Sequence, residues 1–164
     1  VAHAGVLLLW LVVGISTAGL AMTMASLEAR RGELGLAIPA GSFARTPRMA
    51  VAFLLLGFAS VGLPATLGFV AEDLILQGSM GDLPQLALAL IVATALNGVT
   101  VMRSFFQLFH GAREGQGEVD LTPRESTALT VALAVLLVTG AVPAYLVRAV
   151  AGSPAAVHGE ARNH

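Results

Sequence analysis

The chain has 164 residues, of which 56% are hydrophobic and only 12% charged, and its mean hydropathy is +0.82. Soluble domains carry about a quarter charged residues, so this composition points to an integral membrane protein. A formal net charge of −1 offers no broad basic surface for nucleic acid, and the absence of cysteine excludes disulfides and thiolate metal sites. All nine basic residues are arginine, which removes the titratable cation that lysine provides inside a membrane.

A bilayer core of about 30 Å asks for roughly 20 apolar residues per helix. Four runs qualify, about 4–27, 49–80, 85–109 and 126–147, giving an all-α membrane domain over 1–150 followed by a small, polar tail at 151–164 that is expected to fray. The first run lacks a basic leader and reaches no charge before Glu28, which argues against a cleaved signal peptide; the initial Val1 is consistent with a truncated chain. "GISTAG" (Gly14 to Gly19) puts small residues on this helix, a pattern of close helix packing in membranes.

The second run is too long. Residues 49–80 as one straight helix would extend about 48 Å, so a bend or break is expected. Gly62, Pro64 and Gly68 mark the place: proline removes an N–H and clashes with the preceding turn, and glycine resists bending least. Non-helical backbone at membrane depth survives only where protein or a wet cavity covers it. Just beyond lie two adjacent carboxylates, Glu72 and Asp73. An intramembrane carboxylate is by default functional; the alternative is that both sit at the far interface and decorate the start of a half-helix, where the dipole favours anions. Neighbours on a helix point about 100° apart, so the two are not expected to share one role.

In the third run, Arg103 either snorkels toward the end carrying His110 and Arg113 or pairs with a carboxylate of another helix or subunit. His3 and His110 read as interfacial. No pair of histidines or carboxylates shows metal-binding spacing, and no nucleotide loop or nucleophile triad is visible, so neither a metal site nor a catalytic residue is expected. Before the last run, Thr122, Pro123 and Glu125 have the spacing of a capping box.

At these residues the sequence resembles the antiporter-like proton-channel subunits of respiratory complex I (NADH-quinone oxidoreductase), most closely the subunit M and mitochondrial subunit 4 family. "GLPATLGFVAEDLIL" is similar to that family's helix-12 pattern of Gly-Leu/Met-Pro-Gly-Thr, two variable positions, Phe-Val-Gly-Glu and Ile-Leu, and Glu72 falls on the family's glutamate. The related L and N subunits and cation/proton antiporter subunits carry a lysine around this point, so glutamate argues for an M-like member. "VGISTAGLAMTMASLEAR" resembles helix 11, "GSFARTPRMAVAFLLLGFASVGLP" the linker into helix 12, "FFQLFHG" the end of helix 13 and "DLTPRE" the start of helix 14. The likeness covers nearly the whole chain as the last four of fourteen helices.

The resemblance implies the C-terminal half of a proton-translocating membrane subunit, with Glu72 as intramembrane proton carrier and Asp73, Arg103 and His110 as candidate accessories. It implies no cofactor and no bond-making chemistry here, and a multi-pass location in a bacterial inner membrane. Other membrane subunits are implied as partners, one supplying the missing N-terminal helices. Two departures bear on this. Val13 stands where the family has a histidine, and the glutamate and lysines of helices 5, 7 and 8 lie outside this chain. The alternatives are a subunit of a related hydrogenase, cation/proton antiporter or inorganic-carbon-uptake complex, and a degenerate structural subunit without an ion path.

Arginine placement sets the expected orientation. Arg30, Arg31, Arg45 and Arg48 follow the first run, Arg113 and Arg124 follow the third, and the 78–84 turn has no basic residue. The positive-inside rule makes both arginine-bearing loops cytoplasmic and both termini external. Reporter fusions at residues 40 and 116 should therefore read cytoplasmic, and fusions at 81 and after 150 external; inversion at both loops would refute the four-span topology.

Overall fold

A computed structural model describes residues 2–31, 43, 45–81, 83–111 and 120–142. The polar tail 151–164, Arg113 and the end of the last expected run (143–147) lie outside the described residues. The described chain is all helical: α1 (Ala2–Arg31), α2 (Pro47–Ser60), α3 (Leu67–Ser79), α4 (Pro84–Phe109) and α5 (Pro123–Ala141). Three of these, α1, α4 and α5, are long and apolar enough to cross a membrane alone. The second expected span is α2 and α3 together, 14 and 13 residues long, each about 20 Å and too short to cross by itself.

Proline starts α2, α4 and α5, a position where the missing N–H is not needed. At α5 the expected capping box is present: the Glu125 amide donates to Thr122 Oγ1, and the Glu125 carboxylate accepts from the Thr122 amide. The first amides of α2 are satisfied across the fold. Asp120, on the approach to α5, accepts from the amides of Arg48 at 3.1 Å and Met49 at 3.4 Å.

The break between α2 and α3 is a pair of turns. Leu63 N–H bonds Phe58 O at 3.1 Å and Gly62 N–H bonds Ala59 O at 3.4 Å. With Gly62 at φ +79°, this is a Schellman stop, glycine taking the left-handed residue and proline following shortly after. Next comes Leu63-Pro64-Ala65-Thr66, closed by Thr66 N–H to Leu63 O at 3.0 Å, with Ala65 at φ +74°. Proline second and positive φ third define a turn that favours glycine at the third place. Gly68, expected within the break, lies in the first turn of α3. Its role is contact: a Cβ there would lie 2.5 Å from Ala59 O and 3.2 Å from Gly62 Cα.

The other helices pack on this broken element. A Cβ at Gly5 would lie 2.9 Å from Ala71 O, and one at Gly19 would lie 2.7 Å from Leu56 Cδ1, so α1 lies close against both halves. Gly14 meets nothing within 4 Å; of the two glycines in "GISTAG", only Gly19 serves packing inside the described chain. Gly140 of α5 is pressed against the Thr66–Leu67 backbone. The main core joins Leu8 and Val12 to Leu56, Leu67, Leu129 and Leu136. A second cluster joins Leu27, Met49 and Phe53 to Leu108 and Phe109, with the Phe53 and Phe109 rings 5.7 Å apart.

Ala65 is the strained point, since a left-handed L-residue costs roughly 1–2 kcal/mol. Ala65→Gly should stabilise the full chain in detergent by about 1 kcal/mol, net of the greater freedom of glycine when unfolded. An unchanged or lowered unfolding midpoint would count against the strained turn.

Candidate functional site at the helix break

The break brings together residues that are far apart in sequence. Glu72 sits in the second turn of α3, half-buried. Its carboxylate lies over Gly62: a Cβ built there would be 2.7 Å from Oε2 and 3.0 Å from Cδ. Gly62 thus serves twice, supplying the positive φ that ends α2 and leaving the space that the carboxylate fills.

From α4, Thr94 donates its hydroxyl to Glu72 Oε1 at 2.9 Å. One turn further on, Asn97 Nδ2 donates to Ser60 O at 3.0 Å and Ser60 Oγ at 3.2 Å, while Ser60 Oγ donates to Gly57 O at 2.7 Å. Three residues apart, Thr94 and Asn97 share one face of α4, and that face covers the break. Asn97 meets the carbonyl that α2 leaves open at its end; Thr94 meets the carboxylate. A Cβ at Gly98, beside them, would stay 3.5 Å from Val61.

The candidate accessories are not gathered here. Asp73 is exposed and accepts from Gln77 Nε2 at 2.6 Å, on a different face from Glu72. Arg103 is exposed, nine residues past Thr94 and about 13 Å further along α4, with no ion pair among the described residues. His110 ends α4 edge-on to Phe106. No group of acids and histidines with metal-binding geometry occurs among the described residues.

The ion pair that does form is elsewhere. Arg30 Nη2 meets Glu125 Oε2 at 2.6 Å, with the two side chains 15% and 20% exposed. Ser26 Oγ donates to Glu125 Oε1 at 2.7 Å and Arg30 Nη1 to Ser26 O at 2.7 Å, so the capping-box glutamate also ties α5 to α1. Sequence spacing identified the cap; the contact with Arg30 spans 95 positions and leaves no local signal. Asn97 and Thr94 were missed for a similar reason, although two polar side chains one turn apart in an apolar helix are a usable one.

Fold and site define a multi-pass membrane subunit whose second span is broken beside a carboxylate. The chain belongs to the family of NADH:quinone oxidoreductase and Mrp antiporter transmembrane proteins, whose family model matches residues 1–98. That stretch includes the break, Glu72, Thr94 and Asn97, and ends before Arg103. The chain is similar to NADH-quinone oxidoreductase subunit M of Mycobacterium tuberculosis, at 30% identity over 132 residues, 79% of this chain and 24% of that protein. It is also similar to subunit 13 of the Thermus thermophilus enzyme, at 31% identity over 135 residues, 82% of this chain and 29% of that one. In the structure of Thermus thermophilus respiratory complex I with bound NADH, one chain superposes with a TM-score of 0.80 and 29% identity, over 90% of this chain and 31% of that one. The chain therefore spans between a quarter and a third of the length of these relatives.

Gly62→Ala places a methyl group into the Glu72 carboxylate and forces a non-glycine residue to positive φ. It should destabilise the chain by about 2 kcal/mol, whereas Gly98→Ala should be neutral. Equal unfolding midpoints for the two variants would contradict the assigned packing.

Proposed function

We propose that this chain is the C-terminal part of an M-like, proton-translocating subunit of an NADH-quinone oxidoreductase-like complex, and that Glu72 is its intramembrane proton carrier. The observation that carries the reading is the Glu72 carboxylate beside the interrupted backbone, held by one neutral donor, Thr94. Among the described residues no guanidinium neutralises it, in contrast to Glu125, and in this reading it keeps the capacity to gain and lose a proton. Its half-exposure gives water a way to reach it, and the break is where irregular backbone is tolerated at membrane depth.

In this reading, another polypeptide segment supplies the glutamate and lysines of the family's helices 5, 7 and 8 and completes the path. The subunit lies in a bacterial inner membrane with both termini external and its arginine-bearing end cytoplasmic. Electron transfer belongs to partner subunits. The second reading is a cation/proton antiporter subunit, favoured by the family's inclusion of Mrp antiporters; Glu72 would carry protons in either.

Glu72→Gln keeps volume and hydrogen bonding but abolishes titration. In the assembled complex it should lower proton uptake into vesicles about tenfold or more while leaving insertion and assembly intact. Asp73→Asn should change uptake less than twofold, since Asp73 points to another face. Wild-type pumping by the Glu72→Gln complex would defeat the proton-carrier assignment, and sodium-dependent uptake would select the antiporter reading.

A further inference from the structure

We propose that the outer groove between α1 and α5 is a binding site for an anionic phospholipid, with one acyl chain in the groove and its phosphate at Arg124. The groove has a volume of about 370 Å³ and is lined by Ile15, Ala18 and Met22 of α1 and Ala128, Val131 and Val135 of α5 among others. It runs over two turns of each helix, about 10 Å. Ala18, Ala128, Val131 and Val135 are exposed along it, so it opens on the outer face of the described helices. The floor is Gly19 and Leu129, both buried.

The headgroup end is set by charge. Arg124 precedes Ala128, Val131 and Val135 by 4, 7 and 11 residues, which is one stripe of a helix at 3.6 residues per turn. The arginine thus stands on the groove's own stripe, at the end where α5 begins. It is exposed and forms no ion pair among the described residues. The neighbouring acid, Glu125, is neutralised by Arg30 and so does not repel a phosphate. On α1, Ala25 and Ala29 continue the stripe of Ala18 and Met22 toward this end and are exposed. Their small side chains add little bulk on that stripe, with Glu28 exposed beside them. An apolar slot followed on the same helix stripe by an exposed cation that is unpaired among the described residues matches the two parts of an anionic lipid: a chain that needs hydrocarbon and a phosphate that needs a positive partner. A zwitterionic lipid fills the slot but gains less at its end.

The full chain, with Trp10→Phe and Val131→Trp so that the one tryptophan reports on the groove, is reconstituted into phosphatidylcholine vesicles. Phosphatidylglycerol or phosphatidylcholine with brominated acyl chains is then titrated as quencher. Brominated phosphatidylglycerol should be preferred over phosphatidylcholine about fivefold. Arg124→Gln should abolish that preference while leaving helicity unchanged, and Ala128→Phe, which fills the groove from an exposed position, should reduce quenching by both lipids. Equal quenching by the two headgroups, or a preference that survives Arg124→Gln, would overturn the proposal. So would a photo-crosslinker at position 131 in the assembled complex that captures a neighbouring polypeptide instead of lipid.

Discussion

A helix that stops in the middle of a membrane leaves carbonyls and amides without partners, and hydrocarbon supplies none. The packing of this chain is organised around that constraint at residues 61–66. The Schellman bonds return Leu63 and Gly62 to the last turn of α2. The Thr66 amide and hydroxyl both return to Leu63 O, and Asn97 reaches in from α4 to Ser60. Each partner requires a neighbour at close range. Gly140 lets α5 back the turn, Gly68 lets α3 start against the end of α2, and Gly5 and Gly19 bring α1 against both halves. Gly5, Gly19, Gly68 and Gly140 thus stand where neighbouring backbone or side chains approach the broken helix.

The same break creates the chemistry. By stopping α2 with Gly62 and restarting the helix at Leu67, the chain frees a volume over Gly62 that a side chain one turn into α3 can enter. Glu72 enters it. Covering the break with α4 then supplies the hydroxyl of Thr94 as a by-product of the packing that positions Asn97. Backbone satisfaction and carboxylate placement are two consequences of one face of α4.

Two glutamates sit in contrasting environments. Glu125 accepts from Arg30, Ser26 and both donors of Thr122, an arrangement in which ionisation is held by a guanidinium and the side chain ties α1 to α5. Such charge-assisted bonds are roughly twice as strong as neutral ones. Among the described residues Glu72 has a single neutral hydroxyl donor, Thr94, and is partly exposed. The first closes one end of the bundle, and the second lies beside the helix break. Outside these two centres the described long helices present apolar side chains outward, Trp10 among them at 78% exposed.

Much of this was legible in the residues alone. Hydropathy and length gave the spans, because burial in a bilayer imposes a length scale on every helix. The 32-residue second run required a break, and Gly62 and Pro64 located it, because their backbone restrictions are local. The Thr122–Glu125 cap was readable for the same reason. What the sequence could not supply is what spans long separations. The Asn97 and Thr94 contacts, the Asp120 cap on α2 and the Arg30–Glu125 pair arise only when helices distant in the chain are packed. Gly68 shows the difference at one residue: local rules place it in the break, yet the structure uses it inside α3, because the nearness of Ala59 and Gly62 sets its requirement and backbone freedom does not. Sequence determined the membrane class and the interrupted run with its carboxylate. Tertiary structure alone decided which donor that carboxylate meets and which face covers the gap, since hydrogen-bond partners in hydrocarbon are set by helix packing and not by neighbours along the chain.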